Sequence, residues 1–252
     1  MIGVKSKIIF LLVIVLSVFI SVSQANTFTA KEILDQAEKI MDLGQYRADA
    51  RMVIETTGGD QRTLELEIWG KGTDKAFMKY TNPARIRGVT FLFYEDDIWS
   101  YFPSTGRIRH LASHIKNQKM MGSSFSYDDM TSTYQDYEGK IIQEEKINGQ
   151  IYDVIEGKAK AVDQTYEKIF VWIARGTFLP LKMDFYQEGE KVKTMQIESY
   201  LQVNGESKPE KIIMKDLLNN DETLFEYLKL ETNENFEDDF FNQRQLKRLA
   251  EQ

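Results

Sequence analysis

The sequence has no cysteine, four prolines and two histidines among its 252 residues. Without cysteine, the chain cannot form disulfides, thiol nucleophiles, zinc–thiolate sites, iron–sulfur clusters or a lipid-modified N-terminal cysteine. Its basic residues do not cluster, and the net charge of -7 gives no electrostatic reason to bind nucleic acid. The hydrophobic fraction of 42% is ordinary for a globular protein, which excludes a disordered, collagen-like or coiled-coil chain.

A long apolar run occurs at the N-terminus and nowhere else in the chain. Lys5 and Lys7 precede an apolar stretch at 8–20, and Ser23 and Ala25 are small residues at the positions that a signal peptidase reads. At 1.5 Å per residue this stretch spans roughly 20 Å, less than the roughly 30 Å of a membrane core. We therefore predict a signal peptide over 1–25, cleaved after Ala25, and export to a bacterial periplasm. An uncleaved anchor is the alternative.

The region 26–252 shows no break in composition and is predicted to form a single domain. Thr29 and Glu32 form a capping-box pattern before an apolar stripe of helical period, which predicts a helix over 30–43. From there apolar and polar residues alternate with period two along 46–55 and 63–68, on either side of a Gly-rich turn. Further runs of the same kind occur at about 75–81, 89–95, 97–102, 106–111, 139–146, 150–157, 167–174, 180–188, 191–203, 209–217 and 222–232.

This pattern predicts a mainly β fold with a few helices. We expect about eleven antiparallel strands in a strongly curved sheet or barrel, because strands with one apolar face must cover that face. Residues 112–138 alternate poorly and lie between two strand runs, as a lid or a mobile loop would. We expect 112–130 to close over a cavity, with a hinge at 122–124 and with Met120, Met121 and Phe125 facing a ligand. The alternative is an exposed loop that Asp128 and Asp129 hold to Arg107 or Arg109.

No catalytic or metal-binding motif is complete. His110 and His114 are spaced i, i+4, but the residues between them lack the glutamate of a zinc protease. The stretch 122–126 resembles a nucleophile elbow but ends in Ser126 instead of glycine. Asp128 and Asp129 are adjacent, so on a strand they would point to opposite faces. We therefore predict a protein without catalytic residues, metal or cofactor.

Three strand runs, at 91–94, 98–102 and 169–173, are apolar on both faces. One interpretation is a sheet covered by the helix at 30–43. The other is a sheet curled around an apolar ligand, with pliable methionines such as Met195 in its wall. In the second case we expect the wall to include the following residues: Leu66, Ile68, Met78, Tyr80, Phe91, Phe93, Trp99, Trp172, Met183 and Phe185.

Several segments resemble the outer membrane lipoprotein-sorting protein family, which includes the periplasmic carrier LolA and the receptor LolB. The most specific segment is 121–130, with the sequence MGSSFSYDDM. The other segments are YFP at 101–103, GRIR at 106–109, YEK at 166–168, WI at 172–173 and LPLK at 179–182.

The resemblance implies an unclosed β-barrel with a helical lid and an apolar cavity that holds acyl chains. It implies a carrier, expected to be a monomer, that moves lipid or lipoprotein acyl chains between an inner-membrane transporter and an outer-membrane acceptor. An accessory subunit of an exporter of the resistance–nodulation–division (RND) type is a first alternative. A secreted hydrolase is a second.

Overall fold

A computed structural model describes residues 28–232, 234–237 and 239–252. The predicted signal peptide over 1–25 lies outside these residues. Within them, no helix is both long enough and apolar enough to cross a membrane.

The first element is helix α1, Ala30–Met41. Thr29 and Glu32 form the predicted capping box: the Glu32 N–H donates to Thr29 Oγ1 at 3.2 Å, and the Thr29 N–H donates to Glu32 Oε2 at 2.8 Å. At the other end, the buried Lys208 ammonium donates to the carbonyls of Lys39 and Asp42. This cation satisfies carbonyls that the helix leaves without partners and complements the helix dipole. The helix ends two residues before the predicted boundary at 43.

Thirteen strands follow in antiparallel order along the chain. They are β1 Gln45–Glu55, β2 Gln61–Lys71, β3 Lys75–Asn82, β4 Thr90–Tyr94, β5 Asp97–Phe102, β6 Arg107–His110, β7 Tyr137–Ile147, β8 Gln150–Ala159, β9 Lys168–Ala174, β10 Pro180–Gln187, β11 Glu190–Val203, β12 Glu206–Asp216 and β13 Asp221–Thr232. The remaining helices are α2, Ser113–Lys116, and α3, Gln243–Ala250. Short 3₁₀ turns occur at Ala84–Ile86, Met120–Gly122, Asp128–Met130 and Tyr134–Asp136.

All thirteen strands belong to one sheet, in the order β6-β5-β4-β3-β2-β1-β13-β12-β11-β10-β9-β8-β7. The sheet is unclosed, because within the described residues β6 and β7 lack a second neighbour. The predicted fold class is therefore confirmed, but the number of about eleven strands was too low. The two strands of the N-terminal hairpin, β1 and β2, belong to the same sheet as the eleven later strands, because β1 pairs with β13 in the middle of the sheet.

The topology also explains the irregular stretch of the sequence. Strand β6 ends at His110 and β7 begins at Tyr137, at opposite edges of the sheet. Residues 111–136, here called the bridging segment, must therefore pass from one edge to the other. Helix α1 packs against β7, β12 and the turn Tyr134–Asp136 of this segment. Gly139 permits the close contact with β7, since a Cβ there would lie 2.7 Å from Leu34 Cδ1.

Apolar side chains pack on both faces of the sheet. The main core lies on the concave face and includes α1 and part of the bridging segment. A second cluster covers the outer face of β2 to β5, where the C-terminal segment places Phe241, Leu246 and Leu249 against Phe77 and Leu92. This second cover explains why β4 and β5 are apolar on both faces. The sequence interpretation placed α1 in that role, but α1 lies on the concave side.

Candidate functional site: an apolar cavity on the concave face

Two adjoining cavities lie between the concave face, α1 and the bridging segment. The larger, of about 240 Å³, lies beside β2 to β4 and β13; the smaller, of about 120 Å³, lies beside β9, β10 and β12. Both are lined mainly by methionine, aromatic and aliphatic side chains. Residues that line both are Glu38, Met41, Phe125, Asp129, Ser132, Thr133 and Met195. These shared residues form the junction of the two cavities.

Strand alternation places rows of apolar side chains on the concave face, and the cavity walls include members of these rows. On one side, Ala48, Ile68, Met78 and Phe91 pair in register across β1 to β4, so their side chains share the concave face. On the other side, a row of paired residues crosses β8 to β12 in the same way: Ile155, Val171, Met183, Met195 and Met214. Three methionines in one row give this wall side chains that adapt to the shape of a ligand.

The predicted wall residues fall into three groups. Six line a cavity: Ile68, Met78, Phe93, Phe125, Met183 and Phe185. Another group belongs to the same core or packs against it without lining either cavity: Leu66, Tyr80, Phe91, Met120 and Met121. Trp99 and Trp172 lie on the outer face. Trp99 packs with the second cluster, and the Trp172 indole N–H donates to Glu145 at 2.6 Å under the Lys182 ammonium.

The two tryptophans correct the predicted register. Both β5 and β9 are apolar on both faces, so their alternation does not specify which face is concave. The inward positions belong to Ile98 on β5 and to Val171 and Ile173 on β9.

Some lining residues were absent from the predicted wall. On β12 and β13 these are Ile212, Met214, Phe225 and Tyr227, and on α1 they are Glu38 and Met41. The period-two alternation of 209–217 and 222–232 contained the signal for the strand residues. Nothing in the sequence indicated that β13 would pair with β1 and so share a cavity with β2 and β3.

The bridging segment is fixed to the sheet by hydrogen bonds. Ser123 and Ser124 are fully buried: the Ser123 hydroxyl donates to the Met120 carbonyl at 2.8 Å, and the Ser124 N–H donates to Thr223 Oγ1 at 2.8 Å. The Arg62 guanidinium donates to the Met121 carbonyl at 2.8 Å. The predicted hinge at 122–124 is thus held to the sheet by hydrogen bonds in this structure, and its movement stays a prediction.

Asp129 connects the bridging segment to β11. Its side chain is 3% exposed and accepts hydrogen bonds from the Lys193 ammonium at 2.7 Å, the Tyr166 hydroxyl at 2.8 Å and the Ser126 N–H at 2.7 Å. The alternative considered from the sequence, an exposed loop held to Arg107 or Arg109, is thus wrong in its partner. Lys193 supplies the cation, and the segment is packed.

Glu38 is the other acidic group at the junction. It accepts the Tyr134 N–H at 2.8 Å, and no cation lies within ion-pair distance among the described residues. Burial raises the pKa of this carboxyl, against the opposing effect of that hydrogen bond. The junction thus contains Asp129, whose carboxylate is paired with a lysine, and Glu38, whose carboxylate can accept further hydrogen bonds.

The described residues contain no group of three or more histidine, aspartate and glutamate side chains arranged to hold a metal ion. The His110 Nε2–H donates to Asp97 Oδ1 at 2.6 Å on the exposed surface of β5 and β6. Ser124 bonds to Thr223, so no base contacts it in the described structure. The cavities offer burial for apolar groups and a few polar contacts.

Several solved structures are similar to this protein over most of its length. A domain from Vibrio parahaemolyticus described as an outer membrane lipoprotein-sorting protein is 25% identical, with a TM-score of 0.78 over 85% of this chain and 97% of that one. A LolA superfamily protein from Nitrosomonas europaea is 23% identical, with a TM-score of 0.76 over 87% and 100%. A DUF1329 family protein from Desulfovibrio piger is 20% identical, with a TM-score of 0.79 over the same shares.

A search of curated proteins finds no match. A family model described as "Uncharacterized protein"-like matches residues 72–248, which is more than half of the chain. The chain therefore belongs to the family of that model, and its thirteen-stranded unclosed sheet has a LolA-like fold, which it shares with these structural relatives.

Proposed function

We propose that this protein is a non-catalytic carrier that binds the acyl chains of a lipid or lipoprotein in the two adjoining cavities. The observation that carries the proposal is the apolar, methionine-rich wall on the concave face, which lies beneath α1 and the bridging segment. Pockets of this kind, mostly apolar with a few polar groups, are typical of ligand-binding sites. The likeness to a lipoprotein-sorting domain supports the same function.

The free energy of burying an acyl chain is consistent with an apolar, methionine-rich cavity wall. Each CH₂ removed from water is worth about 0.8 kcal/mol, so a sixteen-carbon chain needs burial worth roughly 13 kcal/mol. A carrier must supply most of this and still release its cargo. Adaptable methionine side chains permit tight burial without a rigid fit, so that loading and unloading remain close in free energy.

The proposal includes a location and partners. With residues 1–25 acting as a signal peptide, the carrier works in the periplasm, takes its cargo from an inner-membrane transporter, of the RND type among others, and delivers it to an outer-membrane acceptor. It needs no cofactor and acts as a monomer.

A variant that fills the cavity tests the proposal. Met195 lines both cavities and is half-buried, so Met195→Trp puts additional volume into existing space. Losing room for two CH₂ groups costs about 1.6 kcal/mol, which corresponds to about a fifteenfold loss of affinity. Titration with a fluorescent monoacylglycerol measures this loss.

The matched control is Ile151→Trp, at a residue that is 39% exposed on β8, and its affinity should equal that of the parent. The proposal fails if the parent does not bind the probe, or if Met195→Trp binds it as tightly as the parent.

A further inference from the structure

The polar groups of the cavity wall are concentrated at the junction. Glu38, Asp129, Ser132 and Thr133 all line both cavities, and most of the remaining wall is apolar. An amphiphile with its chain in the apolar part would therefore have its polar end at the junction. The chemistry of that end must match the groups found there.

Hydrogen-bond capacity at the junction is unevenly used. Asp129 already accepts three hydrogen bonds, including one from the Lys193 ammonium. Glu38 accepts one, from the Tyr134 N–H, although a carboxylate has about four lone-pair sites. Of the two carboxylates at the junction, Glu38 is therefore the one with more capacity to accept a hydrogen bond from a ligand.

The Tyr134 hydroxyl is a second group that calls for a partner. Tyr134 is 5% exposed and lines the smaller cavity, and its hydroxyl has no hydrogen-bond partner among the described residues. Leaving a buried hydroxyl unsatisfied is unfavourable, so a polar ligand atom there would be stabilised. Burial and the nearby negative charge of Glu38 both raise the pKa of this hydroxyl, which keeps it protonated and able to donate.

Charge at the junction disfavours an anionic ligand. Asp35, Asp42 and Asp136 lie close enough to Glu38 to raise its pKa further. Lys193 is already paired with Asp129. Lys75 lines only the larger cavity, and its ammonium lies 4.8 Å from the ring centroid of Tyr94, a residue of the outer-face cluster.

We propose that the cavity selects acyl or alkyl chains whose polar end is an uncharged hydroxyl, which donates to Glu38 and accepts from the Tyr134 hydroxyl, and that it disfavours a free carboxylate. This inference rests on the carrier function proposed above and specifies the class of its ligand. Ionised fatty acids would bring a like charge to Glu38, whereas a hydroxyl satisfies both protein groups.

The test is competition at neutral pH. Dodecanol, dodecanoate and dodecylamine each displace the fluorescent monoacylglycerol, so the chain stays constant while the head group changes. We expect dodecanol to bind at least about tenfold more tightly than dodecanoate, a difference of about 1.4 kcal/mol. Dodecanoate binding as tightly as dodecanol would overturn the inference, and so would dodecylamine binding more tightly than dodecanol.

Two variants test whether Glu38 and Tyr134 cause the preference for dodecanol over dodecanoate. Glu38→Gln should bring dodecanoate to within about threefold of dodecanol by removing the like charge. Tyr134→Phe should weaken dodecanol about threefold to tenfold and leave dodecanoate unchanged, since it removes one hydrogen bond. Glu198→Gln, at an exposed position on β11, is the control and should change neither affinity.

The two proposals can fail separately. If the parent binds the monoacylglycerol but does not distinguish dodecanol from dodecanoate, or if Glu38→Gln leaves the ratio unchanged, the hydroxyl assignment is wrong and the carrier function stands. If the parent does not bind the monoacylglycerol, both are wrong.

Discussion

At the scale of single residues, Phe125 brings the bridging segment into contact with both cavities. It is 4% exposed and packs edge-on against Phe225 of β13, with ring centroids 6.4 Å apart. It was predicted to face a ligand, and its position at the junction is compatible with that role. Met120 and Met121, predicted with it, pack into the core beside the cavities.

Replacing Phe125 by Asp should lower the affinity for the fluorescent monoacylglycerol by at least about tenfold. A buried carboxylate without a partner costs several kcal/mol, and here it would also oppose the acyl chain. Phe125→Leu keeps the position apolar and should retain most of the affinity. Thermal unfolding followed by circular dichroism shows whether each variant is folded. Equal affinity of Phe125→Asp and the parent would exclude contact between this residue and the ligand.

Gly122 is a second residue whose identity is set by its surroundings. Its φ of +73° favours glycine, and a Cβ there would lie 2.3 Å from Arg62 Nη2, which bonds the neighbouring Met121 carbonyl. Gly122→Ala should lower the free energy of unfolding by about 2–4 kcal/mol, from the left-handed backbone and the displaced hydrogen bond together. Gly106→Ala, with φ of +64° and open space around it, should cost only about 1–2 kcal/mol. Denaturant unfolding of the two variants measures the difference, and equal losses would contradict the assigned contact.

At the scale of elements, Lys119 anchors the start of the bridging segment to the turn between β12 and β13. Its ammonium pairs with Asp216 at 2.8 Å and also with Asp221. Burial raises the pKa of Asp216, but the hydrogen bonds from Lys119 and Asn219 outweigh this effect and the resulting pKa is lowered. The hydrogen bond from Lys119 is the main cause that lowers the pKa of Asp221.

These lowered pKa values predict how the anchor depends on pH. The pKa of an unfolded aspartate is about 3.9. A carboxyl whose pKa is lower than this in the folded protein stabilises the fold above that pH. The stabilisation is lost as the pH falls through the folded-state pKa. Lys119→Met should therefore cost about 1–3 kcal/mol at neutral pH, because it leaves Asp216 buried without its cation. The cost should shrink in acid.

The control for this prediction is Lys215→Met, which removes an exposed pair with Glu222 and should cost less than about 1 kcal/mol. Urea unfolding at pH 7 and at about pH 3 gives both comparisons. A cost of Lys119→Met that stays constant between these pH values would show that the ion pairs do not stabilise the segment.

Helix α3 has a different role, because it covers the outer face of the sheet. Leu246 is fully buried there against strands that face away from the cavities. Leu246→Ala should lower the free energy of unfolding by about 2–5 kcal/mol through lost burial and the cavity left behind. Binding of the monoacylglycerol by the folded variant should be unchanged. A loss of affinity without a loss of stability would mean that the outer cluster belongs to the binding site.

At the scale of the whole molecule, the sequence predicted the segments better than their arrangement. Alternation located every strand run, and Thr29 with Glu32 located the start of α1, because both patterns are local. Pairing of β1 with β13 depends on residues far apart in the chain, and the sequence held no signal for it. The outer cover by Leu246 and Leu249 was missed for the same reason, which is why Trp99 was predicted to face inward. Trp172 was predicted to face inward because β9 is apolar on both faces, and its outward contacts with Glu145 and Lys182 come from other strands.

The sequence located the bridging segment as an irregular stretch but did not indicate how it is held to the sheet. Poor alternation showed that 112–138 differs from a strand, and its methionine and phenylalanine content favoured a lid. Its anchoring depends on Arg62, Lys193 and Thr223, which belong to three other strands. Such long-range polar partners are specified by the assembled sheet and cannot be read from the segment.

Photo-crosslinking shows where a bound acyl chain lies, which we propose to be the concave face. A monoacylglycerol with a diazirine on its chain is bound to the protein and irradiated, and the modified residues are mapped by mass spectrometry of peptides. We expect adducts on cavity residues such as Phe125, Met183 and Met195, and we expect excess unlabelled monoacylglycerol to suppress them. Adducts confined to the outer face, at Trp99, Trp172 or Leu246, would contradict this proposal.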